Sequence, residues 1–105
     1  MEKFDIRGLQ VKLAEPEIYF HDERLGGAPD ILCGFLRDLH HLLEGEEVTA
    51  EEFADAYRGA MLKFVHDHDP TGAQFRIVAV VVIDILLAEC GEEFGSAVRK
   101  CLPFG

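Results

Sequence analysis

The stretch PTGAQFRIVAVVVIDILLAEC, residues 70–90, decides the fold. Its β-branched residues Ile77, Val78, Val80, Val81, Val82, Ile83 and Ile85 suit a strand. Its length argues the other way, because strands usually stop within about 4–8 residues. We read it as a helix that is apolar on nearly all sides, the pattern of a helix at the centre of a bundle or inside an interface. Were residues 77–87 a strand instead, the domain would be a mixed α+β sheet. A chain of 105 residues hides so apolar a helix with difficulty, so a homodimer through this helix or through a strand edge is expected. The longest apolar run, residues 77–83, has seven residues against the ~20 that a bilayer demands. That run predicts no membrane span.

Immediately upstream, FVHDHDPTG (residues 64–72) admits two readings. As punctuation, His66 closes the preceding helix, where positive charge suits the dipole. Asp67 and His68 are then a two-residue link, Asp69 an N-cap and Pro70 the first helical residue. As chemistry, His66 and His68, with Asp67 or Asp69, are candidate ligands of a metal- or small-ligand-binding homodimer, joined by His40 or His41. Zinc asks for three or four ligands in tetrahedral array, and no HExxH motif or CxxC partner is present. An antiparallel pairing of the first two long helices would also put His40 and His66 at opposite ends. The punctuation reading is therefore preferred, and no metal or other cofactor is expected. His40 and His41 read as solvated residues near a helix C-terminus.

Two more helices precede this point. From Asp30, read as an N-cap, Leu32, Phe35, Leu36, Leu39, Leu42 and Leu43 form one apolar stripe. Gly45 suits the left-handed residue after it. Thr49 and Glu52 have capping-box spacing. Phe53, Ala56, Tyr57, Ala60, Met61, Phe64 and Val65 make the face of the helix they open. Gly59, interior to that helix, suggests a close backbone contact. After residue 90, Gly91 is a cap, and a short helix over residues 92–102 ends at Pro103.

The first third reads differently. Leu9, Val11 and Leu13 alternate with Gln10 and Lys12, the period of a half-buried strand. Phe4 and Ile6 alternate in the other phase, with Gly8 at the change. A turn over residues 14–17 and a β-prone piece over residues 18–20 complete a β-hairpin or extended arm, and residues 21–29 are loop. The expected fold is one mainly α (α+β) domain over residues 1–105. It divides into a strand and loop arm (1–29) and a bundle of three to four helices (30–105).

Asp84 interrupts the apolar helix, where a charge is costly unless paired. An ion pair with Arg58 or Lys63 is the plainer account, and a carboxylate of raised pKa doing acid–base work the sharper one. Catalysis finds little else. Ser96 is the only serine and has no GxSxG around it. The GGAP turn at residues 26–29 lacks the lysine of a phosphate-binding loop. We do not expect an enzyme. Cys33, Cys90 and Cys101 are too scattered for a disulfide framework, and the N-terminus has no apolar leader. Together these predict a cytoplasmic setting.

Charge supplies the functional expectation. Twenty acids face ten Lys and Arg, a formal net charge of −10, which argues against nucleic acid or an anionic membrane as partner. Residues 44–55 hold six acids and no base. More acids stand there than helix capping requires. Glu46, Glu47, Glu51, Glu52 and Asp55 are therefore the candidate contact residues of a small acidic protein-binding module. Such a module would occupy a basic surface of another protein, as inhibitors, immunity-type proteins and phage-encoded antagonists do. A structural subunit of a larger assembly is the remaining alternative.

Overall fold

The apolar stretch is helical from Gly72 to Cys90, so Pro70, expected as its first helical residue, lies before the helix. A computed structural model describes residues 2–21 and 29–102 and is mainly α. In chain order its elements are β1 (Lys3–Asp5), α1 (Arg7–Ala14), α2 (Pro16–Tyr19), α3 (Pro29–Leu42), β2 (Glu47–Thr49), α4 (Ala50–His68), α5 (Gly72–Arg76), a π-helical turn (Ile77–Val82), α6 (Ile83–Cys90) and α7 (Glu92–Cys101). Among the described residues, no helix is long and apolar enough to cross a membrane. The loop expected over residues 21–29, with its GGAP turn, and the stop at Pro103 fall largely outside the described residues.

The start of the long helical run differs from expectation. Thr71, not Asp69, is the N-cap. Its hydroxyl accepts the Gln74 N–H at 3.1 Å, and Gln74 Oε1 accepts the Thr71 N–H at 2.9 Å. An N-cap at Asp69 would have Gly72 in the reciprocal position, which has no side chain to answer with. Asp69 instead closes α4 in the left-handed region (φ 43°), with its N–H on the Val65 carbonyl, a conformation that a short acid tolerates. Asp67 and His68, expected to be linker, are therefore the last turn of α4. Asp30 likewise lies within α3 rather than before it.

The capping box expected at Thr49 and Glu52 is present, with bonds of 2.8 and 3.1 Å. The helix that it opens packs antiparallel to α3: Leu42 lies by Gly59, Asp38 pairs with Lys63 at 2.9 Å, and Gly34 faces His68. Phe35 meets Tyr57 and Phe64 edge-on at 5.3 and 6.0 Å. Gly91, at φ +93°, makes the sharp reversal from α6 into α7 that a side chain would strain. Phe94 of α7 then sits against Phe53 and Phe4 at 5.3 and 4.6 Å. This apolar contact draws the N-terminal strand onto the helices.

The long run also crosses the core. Val78, Ala79, Val82, Ile83, Leu86 and Leu87 are buried, while Ile77, Val81 and Ile85 are half-buried. The fold thus hides most of the helix that was expected to demand a second copy. Tyr57, wholly buried, donates its hydroxyl to the Val78 carbonyl. Burial first, and the nearby charge of Asp84 second, push its pKa well up, so the phenol stays a neutral donor.

The strands expected in the first third are corrected. Residues 9–13 lie in α1, where Ile6, Leu9 and Leu13 are buried and Val11 is 57% exposed. Positions 6, 9 and 13 follow a helical spacing, and the alternation through Val11 was incidental. Residues 18–20, expected as β, fall in or just after α2, which Pro16 starts at its first helical position. The partner of β1 is no hairpin neighbour. It is β2, antiparallel, with Lys3 opposite Thr49, Phe4 opposite Val48 and Asp5 opposite Glu47.

Candidate functional site

That register builds an acidic surface from two distant parts of the chain. Phe4 and Val48 turn toward the core, so alternation turns Asp5 and Glu47 outward, directly opposite each other. Glu46 extends the ladder, its carbonyl accepting the Ile6 N–H at 2.8 Å. Gly45, at φ +80°, makes the turn that brings the acidic run onto the strand. Glu51 follows in the first turn of α4 and is exposed.

Like charges directly opposite across a strand pair are unfavourable. Arg7 offsets the pair. Its guanidinium meets the Asp5 carboxylate at 2.9 Å and lies near enough to Glu46 and Glu47 to feel both charges. Hydrogen bonds from the Arg7 side chain and backbone hold the Asp5 carboxyl below its ordinary pKa. Among the described residues, Glu46, Glu47 and Glu51 form no ion pair. Arg7 thus answers Asp5, Glu46 and Glu47, while Lys3, opposite Thr49 on the same ladder, lies near Glu52, so acids outnumber bases on this surface.

The other two candidates have work within the chain. Glu52 is held by the Thr49 backbone and hydroxyl, which lower its pKa. Asp55 pairs with Arg58, whose other arm reaches the Cys101 carbonyl at 2.7 Å and ties α4 to the end of α7. Asp5 was missed from sequence. No local signal reveals it, since it joins the acidic run only through the strand register.

His66, Asp67 and His68 are exposed at the end of α4, and His68 lies by the first turns of α3. His40 is at the opposite end of that antiparallel pair. Among the described residues, no three His, Cys, Asp or Glu side chains converge as metal ligands would. His40 has a structural partner instead: Gln10 Oε1 lies 2.8 Å from its Nδ1, while Gln10 Nε2 donates to the Leu43 and Gly45 carbonyls. With the amide hydrogens so used, Oε1 accepts, and the His40 proton sits on Nδ1.

Asp84 pairs with neither Arg58 nor Lys63. Those cations serve Asp55 and Asp38, and Asp84 meets Arg99 of α7 at 2.5 Å, both half-exposed. The burial on which an acid–base role would rest is absent. A cleft between α6 and α7 is lined by this pair with Glu92, Ser96, Gly91 and Ala88. Ser96 has no histidine among those lining residues to activate it. Compared with known proteins, the chain matches no family model, no curated protein and no solved structure.

Proposed function

We propose that the protein is a small acidic binding module that docks its two-stranded sheet and the start of α4 on a basic surface of another protein, in the manner of an inhibitor, immunity-type protein or phage-encoded antagonist. The supporting observation is the opposition of Asp5 and Glu47, with Glu46 and Glu51 beside them. A fold gains nothing from two carboxylates face to face, whereas a cationic partner gains steering and selectivity from them. Glu46, Glu47 and Glu51 carry the contact with Asp5. Glu52 and Asp55 contribute field while holding α4. The proposal places the module in the reducing cytoplasm, on the strength of its scattered cysteines.

The test is capture of a partner at low salt, its identification by mass spectrometry, and titration of the purified pair. Changing Glu46, Glu47 and Glu51 together to Lys should weaken binding at least tenfold and flatten its salt dependence while the fold persists. Unchanged affinity overturns the reading. Homodimerisation, if it accompanies this role, rests on the half-exposed stripe of Val80, Val81 and Ile85. Sedimentation at micromolar concentration giving a single chain mass removes it.

A further inference from the structure

The buried residues of the long helical run recur every four positions: Val78, Val82 and Leu86 on one line, Ala79, Ile83 and Leu87 on the next. In a strict α-helix, at about 100° per residue, such a stripe rotates about 80° between positions 78 and 86. The stripe stays on the core because residues 77–82 are wound as a π-turn, which takes an extra residue per turn and cancels the drift. Widening disturbs the pairing of the turn's own backbone. The Ile83 N–H bonds the Val80 carbonyl, and the Val78 carbonyl accepts the Tyr57 hydroxyl from α4. A buried carbonyl needs such a donor.

We propose that Tyr57 is a positioning residue that holds residues 77–82 in the wide register and thereby sets Asp84 against Arg99. Asp84 lies two residues beyond the turn. Closing the turn to α geometry would rotate everything downstream by about one residue, roughly 100°. That rotation would carry Asp84 away from Arg99 and swing Leu86 and Leu87 off the core. The two registers are discrete, because a helix cannot gain a fraction of a residue. Tyr57 thus couples α4 to the α6–α7 cleft.

The test is Tyr57→Phe, which keeps the ring and removes the donor, read by NMR amide exchange and by the folding equilibrium. Amides of residues 78–84 should lose at least tenfold more protection than those of α3. Arg99→Ala should destabilise the parent chain, and that effect should disappear in the Tyr57→Phe background. A second variant lacks Val80, the most exposed residue in the turn, and so closes it. In that shortened chain Tyr57→Phe should change the folded-to-unfolded ratio less than twofold, against about fivefold or more in the full chain. Tyr57→Phe with an intact wide turn and unchanged protection overturns the proposal. An equal cost in both chain lengths does so too.

Discussion

A Cβ placed on Gly59 would stand 3.3 Å from Leu42 Cδ1, at the crossing of α3 and α4. The atom in the way is a terminal methyl of a side chain that is 47% exposed, so it can swing outward. An interior helix glycine costs about 1 kcal/mol relative to alanine, more than moving that methyl by a few tenths of an ångström. Gly59→Ala should therefore stabilise the protein by about 0.5–1 kcal/mol in urea denaturation. Gly59→Val should destabilise it, because a branched side chain must enter the helix contact. A destabilising alanine would show that Leu42 is fixed.

The cap of α4 makes stability depend on acid. Glu52 has its pKa lowered in the folded protein by the Thr49 hydrogen bonds. A depressed carboxylate contributes stability that is present above its unfolded pKa and is lost as pH falls through the folded one. The window therefore begins near the ordinary glutamate value of about 4.3 and extends below it. Glu52→Ala should be less stable than the parent at neutral pH, with the gap closing below about pH 4. Thr49→Ala should cost about 1 kcal/mol at neutral pH. A gap that persists unchanged in acid would remove the capping role of the ionised carboxylate.

Cys90 supplies a chemical readout of packing at the end of α6. Burial first, and the charge of Glu89 second, push its thiol pKa up to about 11. At pH 8 roughly a thousandth of it is thiolate, the reactive form. Alkylation by iodoacetamide, followed by peptide mass spectrometry, should be slow at pH 8 and rise about tenfold per pH unit until near 11. Glu89→Gln should speed it at fixed pH. Reaction at the rate of a free small thiol would contradict the packing of α6 against the N-terminal elements.

The helices were legible where two signals agreed. Thr49 and Glu52 announced a start just as the apolar face of α4 began, and Gly91 marked the break before Phe94. At residues 6–13, alternation and helical spacing fitted the same letters, and burial of Ile6 and Leu13 beside exposed Val11 settled it. The strand β2 was hidden inside the acidic run, whose charges read as surface and whose three residues are too few to show a period. The fourfold spacing in residues 78–87 was visible as letters. Its meaning required the wide turn, and that turn depends on a tyrosine twenty-one residues upstream.

Glu47→Lys separates an acidic pair retained for a partner from one retained for the fold. Asp5 and Glu47 oppose each other across β1 and β2, so a lysine at position 47 would turn repulsion into attraction, a larger change than the loss of the weak, longer-range attraction between Glu47 and Arg7. The free protein should then melt higher, and the gain should shrink with added salt, which screens exposed charges. The same substitution removes one carboxylate from the docking face, so affinity for a cationic partner should fall, mainly through slower association. Opposite signs in stability and binding are what a surface kept for recognition produces. If Glu47→Lys lowers the melting temperature, the carboxylate is serving the fold, and the case for the sheet as a docking face fails.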